Sequence, residues 1–375
     1  MAIVVLAVAS VLCALLFLYP YLLYPLLLGL APRQPVHPAP VDLRPSLLFC
    51  AHNEAESLPA KLDNLRQLKA RHPGLEVLAY DDGSSDGTFE LLSGASDLLT
   101  LVRGPGRTGK AAGMKRLAAM ASGDVLVFTD ANVLLAPDAI AKLLPYYGDP
   151  SVGGLCGQLR YLDEDGASAT AQVGSAYWRL DERLRSLESA TGNVMGADGS
   201  IFSVRRDLYP TFPDSVLDDL TVSMSVLFQG KRLIKAADVV AFERSVSDRR
   251  EELRRKMRIG ARAYHTHLYL RDQLRRMSWL DRFKYFSRKQ LRWFGGIFLA
   301  LALLFALAAL SLASAPAALF ALLVAAAAAG ASRLSSGGAL SRAWQIVEAI
   351  FATLAGVLQG MRGKTVTTWA PAKSR

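Results

Sequence analysis

The sequence predicts an α/β fold: a mostly parallel sheet with helices on both faces, joined to transmembrane and interfacial helices. Three observations predict it. Short apolar runs alternate with helical patterns from Ser46 to Glu243, the pattern of strands and crossover helices in a parallel sheet. Long apolar stretches lie toward both ends of the chain. Polar, carboxylate-bearing segments follow the apolar runs at once, where open α/β sheets place their ligands.

Met1 to Ala31 has no charged side chain. It is longer than a signal-peptide core and lacks the basic start of one. A transmembrane helix over 1–31 is expected, broken near Pro20 and Pro25. Arg33, Arg44 and Lys61 follow it, and no Lys or Arg precedes it. The positive-inside rule then places the next domain in the cytoplasm, on a bacterial inner membrane. Residues 32–45 read as a proline-rich linker.

Residues 46–248 read as a folded α/β domain. Strands are expected at Leu47–Ala51, Leu75–Tyr80, Leu98–Arg103 and Val125–Asp130. Helices are expected at Glu56–Ala70, Thr88–Leu92 and Lys110–Ala121. The second half is less regular: helices at Ala167–Ser189 and Val216–Gln229, the latter stopped by Gly230, then a strand at Leu233–Phe242. Residues 249–292 mix Arg and Lys with Leu, Met, Tyr and Trp, as helices lying on a membrane surface do. Residues 293–361 supply two or three further spans, with a bend near Pro316. Three would put Arg362, Lys364, Lys373 and Arg375 outside, against the positive-inside rule. Residues 362–375 form a basic tail.

The chain is 51% hydrophobic with a net charge of +10. The basic residues crowd beside apolar spans, and no nucleic-acid module is recognisable, so membrane lipids are the expected partner of the charge. The three cysteines have neither metal-ligand nor redox spacing, which argues against a disulfide framework.

Four stretches carry chemistry. Asn53 and Glu54 follow the first strand. Asp81 and Asp82 follow the second, and adjacent carboxylates repel unless a cation or donors offset them. GPGRTGKA, Gly104 to Ala111, nearly fits a phosphate loop, but Ala111 replaces the hydroxyl that would hold Mg²⁺. Backbone N–H groups there, with Arg107 and Lys110, could still contact a diphosphate. In FTDAN, Asp130 and Asn132 place two hard oxygens at a strand's end, suited to Mg²⁺ or Mn²⁺. Asp218 and Asp219 open a helix, where a carboxylate could cap it or act as general base.

Together these stretches resemble a membrane-embedded family 2 glycosyltransferase of the GT-A fold, the group that includes cellulose, chitin and hyaluronan synthases. The resemblance rests on CAHNEAESL, YDDGSSDGT, GRTGKAAGMK, FTDAN, GADGSIFSVRR, LDDLTVS with Gly230, RKQLRW and GMRGKTVTTW. It implies that Asn53, Glu54, Asp81 and Asp82 line the nucleoside pocket. Asp130 and Asn132 would bind the divalent metal, with Asp130 also facing the donor. Asp219 would be the catalytic aspartate, with Asp218 before it. Gly199 and Ser200 match the acceptor-side loop. Arg258 survives from a Q-x-x-R-W motif whose Gln and Trp are absent, which favours single addition over processive polymerisation.

The expected activity is metal-dependent, inverting transfer of a sugar from a nucleotide-sugar, UDP-linked, to a lipid-linked or glycan acceptor. The alternatives are a processive polysaccharide synthase and a catalytically silent scaffold among export-machinery proteins.

Overall fold

The computed structural model describes residues 1–162, 169–244, 248–334 and 339–364. Thr365 to Trp369 of the closing motif, and Lys373 and Arg375 of the tail, lie outside them. The chain opens with helices α1 (Ala2–Leu18) and α2 (Leu23–Gly29), bent by 55° at the break. It then runs β1 (Pro45–Ala51), α3 (Leu58–Arg71), β2 (Glu76–Asp81), α4 (Thr88–Ser93), β3 (Thr100–Arg103), α5 (Lys110–Met120) and β4 (Val125–Thr129). The irregular half holds β5 (Leu134–Leu135), α6 (Ala139–Leu143), β6 (Val152–Tyr161), α7 (Ala169–Ala190), β7 (Ile201–Arg205), α8 (Asp218–Phe228) and β8 (Arg232–Glu243). Helices follow: α9 (Arg249–Arg276), α10 (Trp279–Tyr285), a π-turn at Phe286–Gln290, α11 (Leu291–Trp293), α12 (Gly295–Ala313), α13 (Ala315–Leu334) and α14 (Ala339–Met361).

The eight strands form one sheet in the order β3-β2-β1-β4-β7-β6-β8-β5. The first four are mutually parallel, as the alternation of strand and helix requires. β5, β6 and β7 are additions to the expected set. β7 runs antiparallel to both β4 and β6, so the sheet is mixed, with β6 and β8 parallel beyond it. Alternate residues of one strand serve opposite cores: Leu47, Phe49 and Ala51 face one cluster, Leu48 and Cys50 the other. Both faces are covered, which is why β1 reads as an unbroken apolar run.

Three helices among the described residues, α12, α13 and α14, are long and apolar enough to cross a membrane, with a fourth if α1 and α2 count as one span. Leu303, Phe320 and Leu323 on these helices are exposed. α9 runs beside α14 at close range. A Cβ on Gly356 would lie 2.1 Å from the Met257 carbonyl oxygen, and one on Gly360 2.5 Å from that of Ala261. Small residues let two helix backbones touch.

A buried ionic network ties α7 to the helices before α12. Asp181 accepts hydrogen bonds from Arg185 Nε, from an Arg288 Nη and from an Arg292 Nη, each at 2.9 Å. Glu188 accepts from Arg288 and from the Tyr24 hydroxyl, both at 2.6 Å. Arg288→Met would leave Asp181 short of a partner and Glu188 without its cation in the interior. It should cost about 3–5 kcal/mol, read as a lower denaturation midpoint of the full chain in detergent. An unchanged midpoint would mean that the carboxylates find other partners.

Candidate active site

The carboxyl ends of β1, β2 and β4 lie side by side, and their loops face α5, α8 and α9. Asp81 and Asp82 are both fully buried, but they are used differently. Asp82 Oδ1 accepts from Thr108 N at 2.6 Å, Thr108 Oγ1 at 2.9 Å and Gly109 N at 3.0 Å, and Arg107 Nε lies 3.6 Å from its other oxygen. Asp82 therefore holds the loop that precedes α5. The N–H groups expected to meet a diphosphate are occupied by it at Thr108 and Gly109. Among the described residues, Asp81 Oδ1 accepts only from Ser84 N at 3.3 Å, and its Oδ2 has no partner. Asn53, at φ +53°, locks to the neighbouring turn by accepting from Ser85 N at 2.8 Å. Glu54 is buried and accepts from Ser57 Oγ at 2.8 Å.

Lys110 is the first residue of α5, and its ammonium joins the separate motifs. Nζ donates to Asp130 Oδ1 at 2.5 Å and lies 4.0 Å from Asp218 Oδ2. Burial pulls its pKa down, but Asp130, Asp218 and Asp219 outweigh burial and hold the ammonium well above the usual lysine range. Gly199 closes this corner. A Cβ there would stand 2.9 Å from Lys110 Nζ and 3.2 Å from Asp130 Oδ2. Ser200 is turned the other way, its N–H and hydroxyl both donating to Asp198.

Asn132 does not share the Lys110 contact. Its amide Nδ2 donates to Glu243 Oε1 at 2.9 Å. Burial raises the Glu243 pKa; Arg255 lowers it and the Asp130 charge raises it further. Glu243 ends β8 and was not among the residues singled out in the sequence. Lys61, counted in the sequence only as a charge following the first span, is fully buried on α3 and donates to the Asp130 carbonyl at 3.2 Å and to that of Val133 at 2.6 Å. Burial drives its pKa down to about 7 against the pull of Asp130. It braces the turn that presents Asp130. The signal was a lysine on the apolar face of a helix, between Leu58, Leu62 and Leu65.

α8 begins with Asp218, which is buried, and Asp219, whose Oδ1 accepts from Leu220 N at 2.6 Å. Burial and the Asp218 charge raise the Asp219 pKa to about 6, with Lys110 opposing them. Arg255, Arg258 and Arg262 recur on one face of α9. Arg258 has no hydrogen-bond or ion-pair partner among the described residues, and burial, followed by the like charges of Arg262 and Arg255, lowers its pKa to about 10. Trp293 is buried against Tyr264, His267 and Tyr285. Its indole packs into the protein.

The site thus gathers a buried, half-free carboxylate, a lysine between two acidic groups and a carboxyl group with a raised pKa at one sheet edge. Residues 46–211 match the family described as Glycosyl transferase family 2. This domain belongs to that family. The chain is 26% identical over 242 residues to an N-acetylglucosaminyltransferase of Rhizobium meliloti (strain 1021), covering 62% of this chain and 52% of the relative. It is 27% identical over 138 residues to that of Rhizobium leguminosarum bv. viciae, covering 35% and 32%. The chain therefore spans about a third to a half of the length of these curated relatives. The structure resembles a mannosyltransferase from Pyrobaculum calidifontis, solved with GDP-Man and Mn2+. The TM-score is 0.74 at 24% identity, over 96% of this chain and 99% of that one. At that identity the likeness is one of fold, and the fold of this chain is GT-A-like.

The division of labour between Asp81 and Asp82 can be measured. Asp82→Ala strips several donors of their charged acceptor and should cost about 3 kcal/mol of stability. Asp81→Ala should cost about 1 kcal/mol or less. Denaturation of the two full-length variants in detergent compares them; equal losses would contradict the assignment.

Proposed function

We propose that the glycosyltransferase moves a sugar from a UDP-sugar to a hydroxyl of a lipid-linked or glycan acceptor at the cytoplasmic face of a membrane, with inversion at C1. The observation that carries this reading is the Lys110 ammonium. By reaching Asp130 and Asp218 together, it makes one site of motifs far apart in sequence. Asp81, with its unpartnered Oδ2, faces the nucleobase, while Asn53 and Glu54 shape that pocket. Asp219 takes the proton of the acceptor hydroxyl as its oxygen bonds to C1 and the C1–diphosphate bond breaks. A carboxyl group with a pKa of about 6 is ionised at neutral pH and still basic enough to accept that proton.

Asp130 and Asn132 suit a divalent ion, Mg²⁺ or Mn²⁺. The Asp130 side chain is partly open and already draws one cation, Lys110, and Asn132 keeps its amide oxygen after donating to Glu243. Among the described residues, no cluster of three or more His, Cys, Asp or Glu could hold a metal, so the diphosphate would supply further ligands. The ion would neutralise the leaving diphosphate, and Lys110 and Arg107 would hold the same charge from the protein side. Residues 1–31 and 293–334 would span the membrane, and 249–292 would lie along it together with α14, which runs beside α9.

A screen of UDP- and GDP-sugars, read as nucleotide release by the detergent-purified full chain with and without Mn²⁺, tests this reading. Release with none of the donors would overturn it. Asp219→Asn should lower transfer by about 10²–10⁴-fold. Asp130→Ala should abolish it, and Asn132→Asp should lower it, because it sets a carboxylate against Glu243 where the Nδ2 donor stood. The sign of the pH effect follows from the base role. Below about pH 6 Asp219 is protonated, so the rate should fall about tenfold per pH unit there. A base with the ordinary Asp pKa of about 3.9 would hold the rate flat to about pH 4.

A further inference from the structure

Asn132 is the neutral member of the pair proposed to hold the divalent ion, and its amide has two unlike ends. Nδ2 only donates and Oδ1 only accepts. The backbone that carries them is fixed. Val133 N donates to the Asp130 carbonyl at 3.2 Å and closes the turn. Lys61 clamps the same turn through the carbonyls of Asp130 and Val133. What remains to be set is which way the amide faces.

Glu243 sets it. Asn132 Nδ2 donates to Glu243 Oε1 at 2.9 Å. An ionised carboxylate has no proton to give, so a reversed amide would put oxygen against oxygen. Oδ1 is therefore turned away from Glu243, and it has no hydrogen-bond partner among the described residues. Glu243 is itself held at a strand end. It lies opposite Tyr161 of β6, and its carbonyl accepts from Leu162 N at 3.0 Å. On its other side β8 pairs with β5, Phe242 opposite Leu134. β5 starts two residues after Asn132, so this pairing brings the turn against the strand end.

The Glu243 charge has little other use. The carboxylate is partly buried. Among the described residues it forms no ion pair, and Asn132 is the one side chain hydrogen-bonded to it. Arg255 sustains its charge from further off, and Asp130 is near enough to work against it. Withdrawing a carboxylate from water for one neutral donor is costly. What the contact supplies is felt at the far end of the amide. A hydrogen bond from Nδ2 to a carboxylate draws electron density toward Oδ1. The partners of a metal ligand orient it and raise its basicity in this way.

We propose that Glu243 is a positioning residue for the metal site. It turns Asn132 Oδ1 to the ion and lends that oxygen the negative charge that an amide lacks, so that Asn132 and Glu243 together stand in for one aspartate. This deepens the metal reading above and rests on it.

The test is binding of radiolabelled UDP to the detergent-purified full chain as Mn²⁺ is raised, read as the Mn²⁺ concentration that gives half-maximal binding. Glu243→Gln keeps the shape of the side chain but not its charge, and should raise that concentration about 10–100-fold. Adding Asn132→Asp moves the charge from 243 to 132 and reverses the hydrogen bond. The double variant should return to near the wild-type value. Its melting temperature without metal should exceed that of Asn132→Asp alone, in which two carboxylates face each other. A Glu243→Gln chain that keeps the wild-type Mn²⁺ dependence, whether or not it melts earlier, would make the contact a structural tie and overturn the inference. So would a double variant no better than Glu243→Gln, which would put the Glu243 carboxylate on the ion itself. UDP bound by the wild-type chain equally well with and without Mn²⁺ would remove the metal reading, and the inference with it.

Discussion

Three carboxylates crowded into one half-enclosed cleft repel each other unless a cation sits among them. Like charges at 4 Å interact by about 4 kcal/mol at an effective dielectric constant of 20. Here the cation is Lys110, and its position is unusual. A lysine at the first turn of a helix opposes the helix dipole, so α5 gains nothing locally from having it there. What holds it in place is the preceding loop, whose Thr108 and Gly109 N–H groups are bound by Asp82. The order of dependence runs from the buried Asp82 to the loop, from the loop to Lys110, and from Lys110 to the carboxylates of β4 and α8. Asp82 thus acts on the site through the backbone.

The strand order explains why the corner opposite Lys110 is filled by glycine. β7 pairs with β4 in antiparallel register, with Thr129 opposite Ile201. The residue leaving β4 is therefore brought against those entering β7, and Asp130 meets Gly199. A parallel neighbour could not do this, because its start would lie at the far end of the sheet. The antiparallel insertion is the feature that lets GADGS and FTDAN share one corner.

Much of this was legible in sequence because strand ends announce themselves. A fully buried strand is an unbroken apolar run, and a polar residue at its end can only be a turn or a site. β1, β2 and β4 were visible on that account, as were Asp81 and Asp130. β6 was not, because Val152 to Tyr161 is diluted by Gly153, Gly154 and Gly157, each pressed against a neighbour. Lys61 and Glu243 escaped for another reason. A lysine on a helix and a glutamate ending a strand normally mark solvent, and only the packing of β4 and β8 shows that both are turned inward. The asymmetry between Asp81 and Asp82 was hidden as well, since adjacent residues with the same side chain differ only in what the fold brings to them.

The ionic network on α7 shows how the cleft is joined to the apolar helices. Asp198, which fixes Ser200 beside Gly199, is paired with Arg185. Arg185 is shared with Asp181, and Asp181 with Arg288 and Arg292, which stand just before α12. Each pair is buried, so none adds much stability over a well-packed apolar replacement. What such pairs supply is direction. A guanidinium with fixed donors holds a carboxylate at one distance and angle, whereas leucines would let the helices slide. The loop of Asp198 to Ser200 is therefore registered against the base of α12 by charge, while apolar packing supplies the cohesion. That arrangement fixes the carboxyl edge of the sheet against the helices that precede α12.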